Sequence, residues 1–280
     1  MLFCEEWVGC ISMNNWQKNY KKRLSKSALQ TFKQCPEKFY FTHVLRLEDP
    51  SGPEALLGQH IHKSLADFYQ TLDFTNIKTP MDLVAEIMKY DTGGCREHYS
   101  NFASFNVGRY KKLKNKLLIK PIMMEQKIVH PDPAIDLVGV VDAVFQDDNG
   151  NVLVMDYKTG KFDPGRIHEY RMELAVYTEL VAKTTSFVPT SWGILFTKSG
   201  NFWNEPIIPD YFAKTVVPLV AAAKEAIKGG KFEPTRSPLC MYCTFKNRCS
   251  LWGGPKDPVL IEQLKKAKEE AILRNSEQTK

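Results

Sequence analysis

Two hydrophobic periods run through this 280-residue chain. Between Leu137 and Lys161 (LVGVVDAVFQDDNGNVLVMDYKTGK) the period is short. Two apolar runs, 136–145 and 152–157, flank the connector Asp147-Asp148-Asn149-Gly150-Asn151. Asn and Gly both tolerate positive φ, so the stretch predicts a hairpin. Asp142 interrupts the first strand, and Asp156 and Lys158 sit at the far end of the second. Strict alternation, in a suitable register, would aim Asp142, Asp156 and Lys158 from one face into a shared cleft.

Elsewhere the period lengthens to that of helices. Leu29, Phe32, Phe39 and Tyr40 predict a helix over 24–47, with Ser25 or Ser27 as cap and a break at Cys35-Pro36, where proline removes a donor. Leu57, Ile61, Leu65, Phe68 and Leu72 stripe a second helix over 54–72, with His62 toward the polar edge of the stripe. Helices are also expected at 81–89, 95–118, 166–183 and 210–228, and strands at 121–129, 191–197 and 202–208. The chain then divides into an N-terminal extension (1–23), one main domain (24–254) and a charged C-terminal helix (255–280).

Composition adds little. Apolar residues make up 43% and charged residues 25%, ordinary for a globular protein. No apolar run approaches the ~20 residues of a membrane span. The N-terminus is acidic where an export signal would be basic, so a cytoplasmic or nucleoid-associated location is expected. Net charge is only +6, but Arg109–Lys120 carries six basic residues and no acid. Lys111, Lys112, Lys114 and Lys116 from that cluster are candidate contacts for a phosphate backbone, with a solvated helix face as the alternative.

Chemistry concentrates in two places. Two neighbouring carboxylates need a cation, and with Lys158 beside them they have the composition of a divalent-metal site; acidic decoration of an exposed hairpin is the competing reading. The second place is cysteine. Seven cysteines with no export signal argue against a disulfide scaffold. Cys240-x2-Cys243-x5-Cys249 has metal-ligand spacing and lacks a fourth ligand. Cys35, at the proline-broken joint and flanked by aromatics, is the best candidate. Zinc and an iron–sulfur cluster both suit four thiolates.

Together these residues resemble the RecB-like branch of the PD-(D/E)XK nuclease superfamily, in its iron–sulfur form, which includes the AddB nuclease domain and the CRISPR-associated Cas-four exonucleases. Gly58-x3-His62, Gly139-Val-Val-Asp142, Asp156-Tyr-Lys158-Thr-Gly160 and the four cysteines match its motifs in order, over 24–251. The resemblance implies an α/β, restriction-endonuclease-like core, with a central mixed sheet flanked by helices, an N-terminal helical region and a C-terminal cluster-binding segment. It implies that His62, Asp142, Asp156 and the Tyr157 carbonyl ligate Mg2+ or Mn2+, that Lys158 assists an attacking water, and that Glu125 is an outer ligand. It implies a [4Fe-4S] cluster on Cys35, Cys240, Cys243 and Cys249. One position departs: Glu173 stands where the family's Gln-x3-Tyr helix has glutamine, whereas Tyr177 matches. The implied function is a metal-dependent DNA exonuclease acting on single-stranded ends in repair, recombination or CRISPR processing, with a helicase or recombination protein as partner, since the chain has no Walker loop. The alternatives are a non-catalytic DNA-binding partner, or a zinc-bearing enzyme acting on RNA.

Overall fold

The structure, a computed structural model, describes residues 23–50, 52–91 and 93–254. The extension before Arg23, with Cys4 and Cys10, and the expected helix at 255–280 lie outside the described residues. The described residues form two compact units: Leu24–Lys26 with Pro50–Pro218, and Ser27–Asp49 with 219–254.

The larger unit is α/β. Strand β1 (Leu24–Ser25) leads directly into α1 (Lys26–Gln34). Helix α3 (Pro53–Thr71) begins on a proline, whose missing N–H costs nothing in the first turn. Helix α4 (Pro80–Met88) starts on a capping box between Thr79 and Asp82, and α5 spans Arg96–Lys112. Strands β2 (Met123–Val129), β3 (Leu137–Gln146) and β4 (Val152–Lys158) follow, then α6 (Ile167–Thr184), β5 (Pro189–Phe196) and β6 (Phe202–Pro206). The predicted hairpin joins β3 to β4. Gly150 takes φ 82° in its turn, and Asp147 accepts the backbone N–H groups of Asn149 and Asn151.

All six strands form one mixed sheet in which β3 is the hub. It pairs antiparallel with β2 and β4, and parallel with β1 through Leu24–Leu137 and Ser25–Val138. Strand β4 continues to β5 in parallel, and β6 closes the edge antiparallel. Helices cover the sheet, as the mixed alternation of β4 requires. Its Met155 and Tyr157 join an apolar cluster with Ile61, Phe68, Tyr69 and Phe102 of α3 and α5. Asp156, between them, meets Glu173's neighbourhood on α6 through shared lysines.

Two sequence expectations fail, one through a distant contact and one through a nearby proline. The basic stretch 109–120 is not a continuous helix. Leu113 is extended, and the Asp148 carboxylate captures the Lys114 and Asn115 N–H groups at 2.7 and 2.8 Å. The helix expected at 210–228 opens with a wide turn, Phe212–Val216, before α7 (Val217–Gly229), because Pro218 cannot donate to the helical ladder.

In the smaller unit Cys35 caps α2 (Pro36–Phe39), its sulfur accepting the Lys38 N–H at 3.5 Å. Phe41 packs on Phe245, and Glu37 accepts the Ser250 N–H.

Gly139 sets the approach of α6 to the sheet. A Cβ there would lie 2.8 Å from Leu180 Cδ1 and 3.2 Å from Tyr177 Cε1. Gly139→Ala should therefore destabilise the protein by about 1–3 kcal/mol through overpacking, read from denaturant midpoints. An unchanged midpoint would mean that α6 shifts freely.

Candidate active site

The site forms where β3 and β4 part. Their ladder ends at Ala143–Met155, and the next rung in register would set Asp142 opposite Asp156. Like charges directly across a ladder repel, and here the pairing stops. Asp156, Tyr157 and Lys158 stay bonded to β5 while leaving β3. On the other side of β3, the β2 ladder also skips one rung, Glu125 against Asp142. Glu125 takes φ 45°, a left-handed conformation that strains a residue with a Cβ. The register thus lines up three acids, Glu125, Asp142 and Asp156, across three strands.

The strict alternation assumed from sequence does not survive this row. Gly139 faces Leu180 and Tyr177 of α6, yet Phe145, six residues on, packs on Tyr69 of α3 and Phe105 of α5. The strand changes face between them, at the interrupted rungs. The carboxylates consequently meet different partners.

Asp142 and Glu125 gather around His62. His62 Nδ1 lies 3.3 Å from Asp142 Oδ2 and 3.9 Å from Glu125 Oε1. Among the described residues, these three supply the set of potential ligand atoms lying within 4.8 Å of one another, and they could hold a metal. Gly58, one turn earlier on α3, leaves room for Thr159, which would sit 3.5 Å from a Cβ there. The Tyr157 N–H donates to Asp142 Oδ2 at 2.9 Å, and the edge of its ring meets the His62 ring.

Asp156 belongs to a second cluster. Its Oδ2 is 2.9 Å from Lys158 Nζ and its Oδ1 3.3 Å from Lys26 Nζ. Both ammoniums also reach Glu173 Oε2, at 2.7 Å from Lys158 and 3.8 Å from Lys26. Lys26 lies 4.7 Å above the ring of Tyr177. Asp156 and Glu173 are almost wholly buried, 1% and 4% exposed, so the two lysines balance charges that water cannot reach.

Ionisation follows these surroundings. Burial, reinforced by the charge of Asp156, pushes Asp142 up to about 7. Burial acts in the same sense on Asp156, but Lys158 and Lys26 outweigh it and hold that carboxyl well below the usual range. Burial opposes the charge on Lys26 and Lys158, and the facing carboxylates more than compensate, so both stay protonated. Burial and the nearby carboxylates raise the Tyr177 phenol, which remains a neutral donor.

The sequence does not single out Lys26, which ends a run of basic residues from Lys18. Nothing local marks it, because its partners lie up to 130 residues away. Of the basic stretch, Lys111, Lys112 and Lys114 are exposed. Lys116 instead donates to the Tyr110 and Leu113 carbonyls, and Arg109 is bound to the Leu118 and Ile119 carbonyls over the Phe145 ring.

The four cysteines lie in the smaller unit, around a cavity of about 220 Å³ lined by Cys35, Cys240, Cys243 and Cys249. Cys35 Sγ accepts the Thr235 N–H at 3.5 Å, and Cys240 Sγ accepts the Ser237 N–H at 3.4 Å. Burial and Glu37 push the Cys249 thiol up to about 12, so ligation there requires a cation to displace the proton.

Asp142 gives the metal-free protein a characteristic pH response. Its folded pKa exceeds the ~3.9 of an unfolded aspartate, so the folded state binds the extra proton between about pH 4 and 7. This group's contribution to stability is therefore complete at low pH and is lost as pH rises through 7. In chelator at pH 8, Asp142→Asn should be more stable than wild type by on the order of 2 kcal/mol, a gain that vanishes near pH 4. Parallel pH–stability curves for the two proteins would contradict the assignment.

Comparison with known proteins gives the chain a family. Solved structures of similar fold include the following two. A candidate exonuclease from Eubacterium rectale shares 17% identity over 91% of this chain and 97% of its own, with a TM-score of 0.47. SSO0001 shares 16% identity over 70% of this chain and 96% of its own, with a TM-score of 0.35. No curated protein matches the sequence. The sequence profile of the PD-(D/E)XK nuclease superfamily matches residues 23–250, which include every residue of the acid row, His62 and both lysines. The chain belongs to the PD-(D/E)XK nuclease superfamily.

Proposed function

We propose that this protein is a divalent-metal-dependent DNA exonuclease acting on single-stranded ends. The observation that carries the reading is the acid row at the fork of β3 and β4, with His62 on one flank and Lys158 on the other. The donor set suits the ion: carboxylate oxygens are what Mg2+ and Mn2+ prefer, and one imidazole favours manganese. His62, Asp142 and Glu125 would hold it, with Asp156 and the Tyr157 carbonyl completing the set. Such an ion acidifies a water and neutralises charge on a phosphoryl oxygen. Lys158, anchored between Asp156 and Glu173, orients the attacking water and stabilises charge developing on the phosphate. Tyr177, kept neutral, can donate a proton in a hydrogen bond but cannot serve as a base.

An open groove of about 610 Å³ runs from Glu125 and His62 past Gln59, Lys63 and Gln70 of α3. Its amide and ammonium groups suit a nucleic-acid strand. A partner helicase or recombination protein would supply the unwinding that such a substrate requires, and Lys111, Lys112 and Lys114 would contact phosphates outside the groove.

For the cysteine site we favour a [4Fe-4S] cluster over zinc. Tetrahedral zinc, with bonds near 2.3 Å, draws its sulfurs to about 4 Å apart. The four thiols do not form a group within 4.8 Å, whereas they do line a common cavity, which suits a multi-atom cluster. N–H···S bonds to Cys35 and Cys240 are of the kind that tune such clusters.

Two measurements test these readings. End-labelled single-stranded DNA should be degraded in Mg2+ or Mn2+, and Asp156→Ala or Lys158→Ala should lower the rate by at least about 100-fold. Equal rates in wild type and variants would reject the site. Anaerobically purified protein should be brown, and Cys243→Ser should lose both the colour and part of its thermal stability. A colourless wild type carrying one zinc would reject the cluster.

A further inference from the structure

Lys26 has no role in the mechanism above, yet its placement is costly. It opens α1, where a cation opposes the helix dipole, and the first turn holds no acidic residue to offset it. Its side chain is 17% exposed, so its charge is also largely withdrawn from water. Its contacts form a closed ring of alternating charge: Asp156, Lys158, Glu173 and Lys26. Within that ring Lys26 sits between two acceptors, 3.3 Å from Asp156 Oδ1 and 3.8 Å from Glu173 Oε2. The second differs from the first by only half an ångström, and the Tyr177 face supports the ammonium in between. Asp156 Oδ2 and Glu173 Oε2 are fully buried and share the Lys158 ammonium, at 2.9 and 2.7 Å, so Lys158 ties together the two carboxylates between which Lys26 sits.

We propose that Lys26 is a resident counter-cation of the metal site: it holds Asp156 while no divalent ion is bound and transfers to Glu173 when Asp156 turns to one. This rests on the metal-site reading above and adds a positioning residue to it. Glu173 is the acceptor that makes the transfer possible. In the metal-free state Lys26 keeps Asp156 from facing Asp142 uncompensated. In the loaded state it leaves Asp156 to the ion and shares the Glu173 carboxylate with Lys158. The two ammoniums and two carboxylates of the ring sum to zero charge, so Lys26 changes partner without adding to the charge of the ring.

The test is Mn2+ titration of the full-length protein without DNA, with melting curves in chelator as a folding control. Lys26 competes with the ion for Asp156, so Lys26→Met should bind Mn2+ about threefold or more tighter than wild type, and Lys26→Arg should stay close to wild type. In a Glu173→Gln background Lys26 has nowhere to go, so Glu173→Gln should weaken binding. There, removing Lys26 should gain more affinity than it gains with Glu173 present, by about threefold or more. Equal gains in the two backgrounds, or no gain in either, overturn the transfer. Lys26→Gln takes the place of Lys26→Met should the latter fail to fold. Asp142→Ala separates the two levels of inference: Mn2+ affinity unchanged in that variant overturns the metal site itself, whereas lost affinity there combined with equal Lys26 gains overturns the role of Lys26 alone.

Discussion

Repulsion among three carboxylates is the constraint around which this molecule is built. Glu125, Asp142 and Asp156 occupy one row of adjacent strands, two of them buried. Water would ordinarily screen such charges, and a sheet interior cannot. The structure responds by breaking the ladder on both sides of Asp142, by twisting Glu125 into positive φ, and by surrounding the row with one imidazole and two ammoniums. One carboxyl is driven toward protonation and another is held ionised, so the row divides into chemically distinct halves. A set of groups that is unfavourable by itself becomes favourable toward a doubly charged ion, which is the use a metal-dependent phosphodiesterase has for it.

What the sequence made legible was short-range. The Asn-Gly turn, the proline break after Cys35 and the helical stripe of 54–72 all reappear, because each depends on neighbours a few residues apart. The mixed sheet flanked by helices also matches the reading. The basic stretch 109–120 misled because Asp148 on the hairpin turn captures its backbone, a contact more than thirty residues long. Period-two alternation failed at Asp142 because alternation assumes an unbroken ladder, and electrostatics broke it. Glu125 was visible as an acid on the right strand, but only backbone geometry reveals its strain. Lys26 was hidden among other lysines.

Glu173 illustrates how context changes the meaning of a substitution. In isolation a carboxylate beside Asp156 adds repulsion to a crowded site. In the structure it lies within reach of two ammoniums and balances the second of them. The departure from glutamine and the lysine that opens α1 are therefore one feature, distributed over two distant stretches of sequence.

The two residues of β1 carry a consequence for assembly. They are the link that brings Lys26 beside β3, and they do so by a parallel pairing that closes a loop from Leu24 to Leu137. Contacts of such sequence separation form late in folding, since loop-closure entropy must be overcome before they are rewarded. The β3–β4 hairpin, by contrast, forms early and locally. During folding its acid row must therefore exist for a time without its distant lysine.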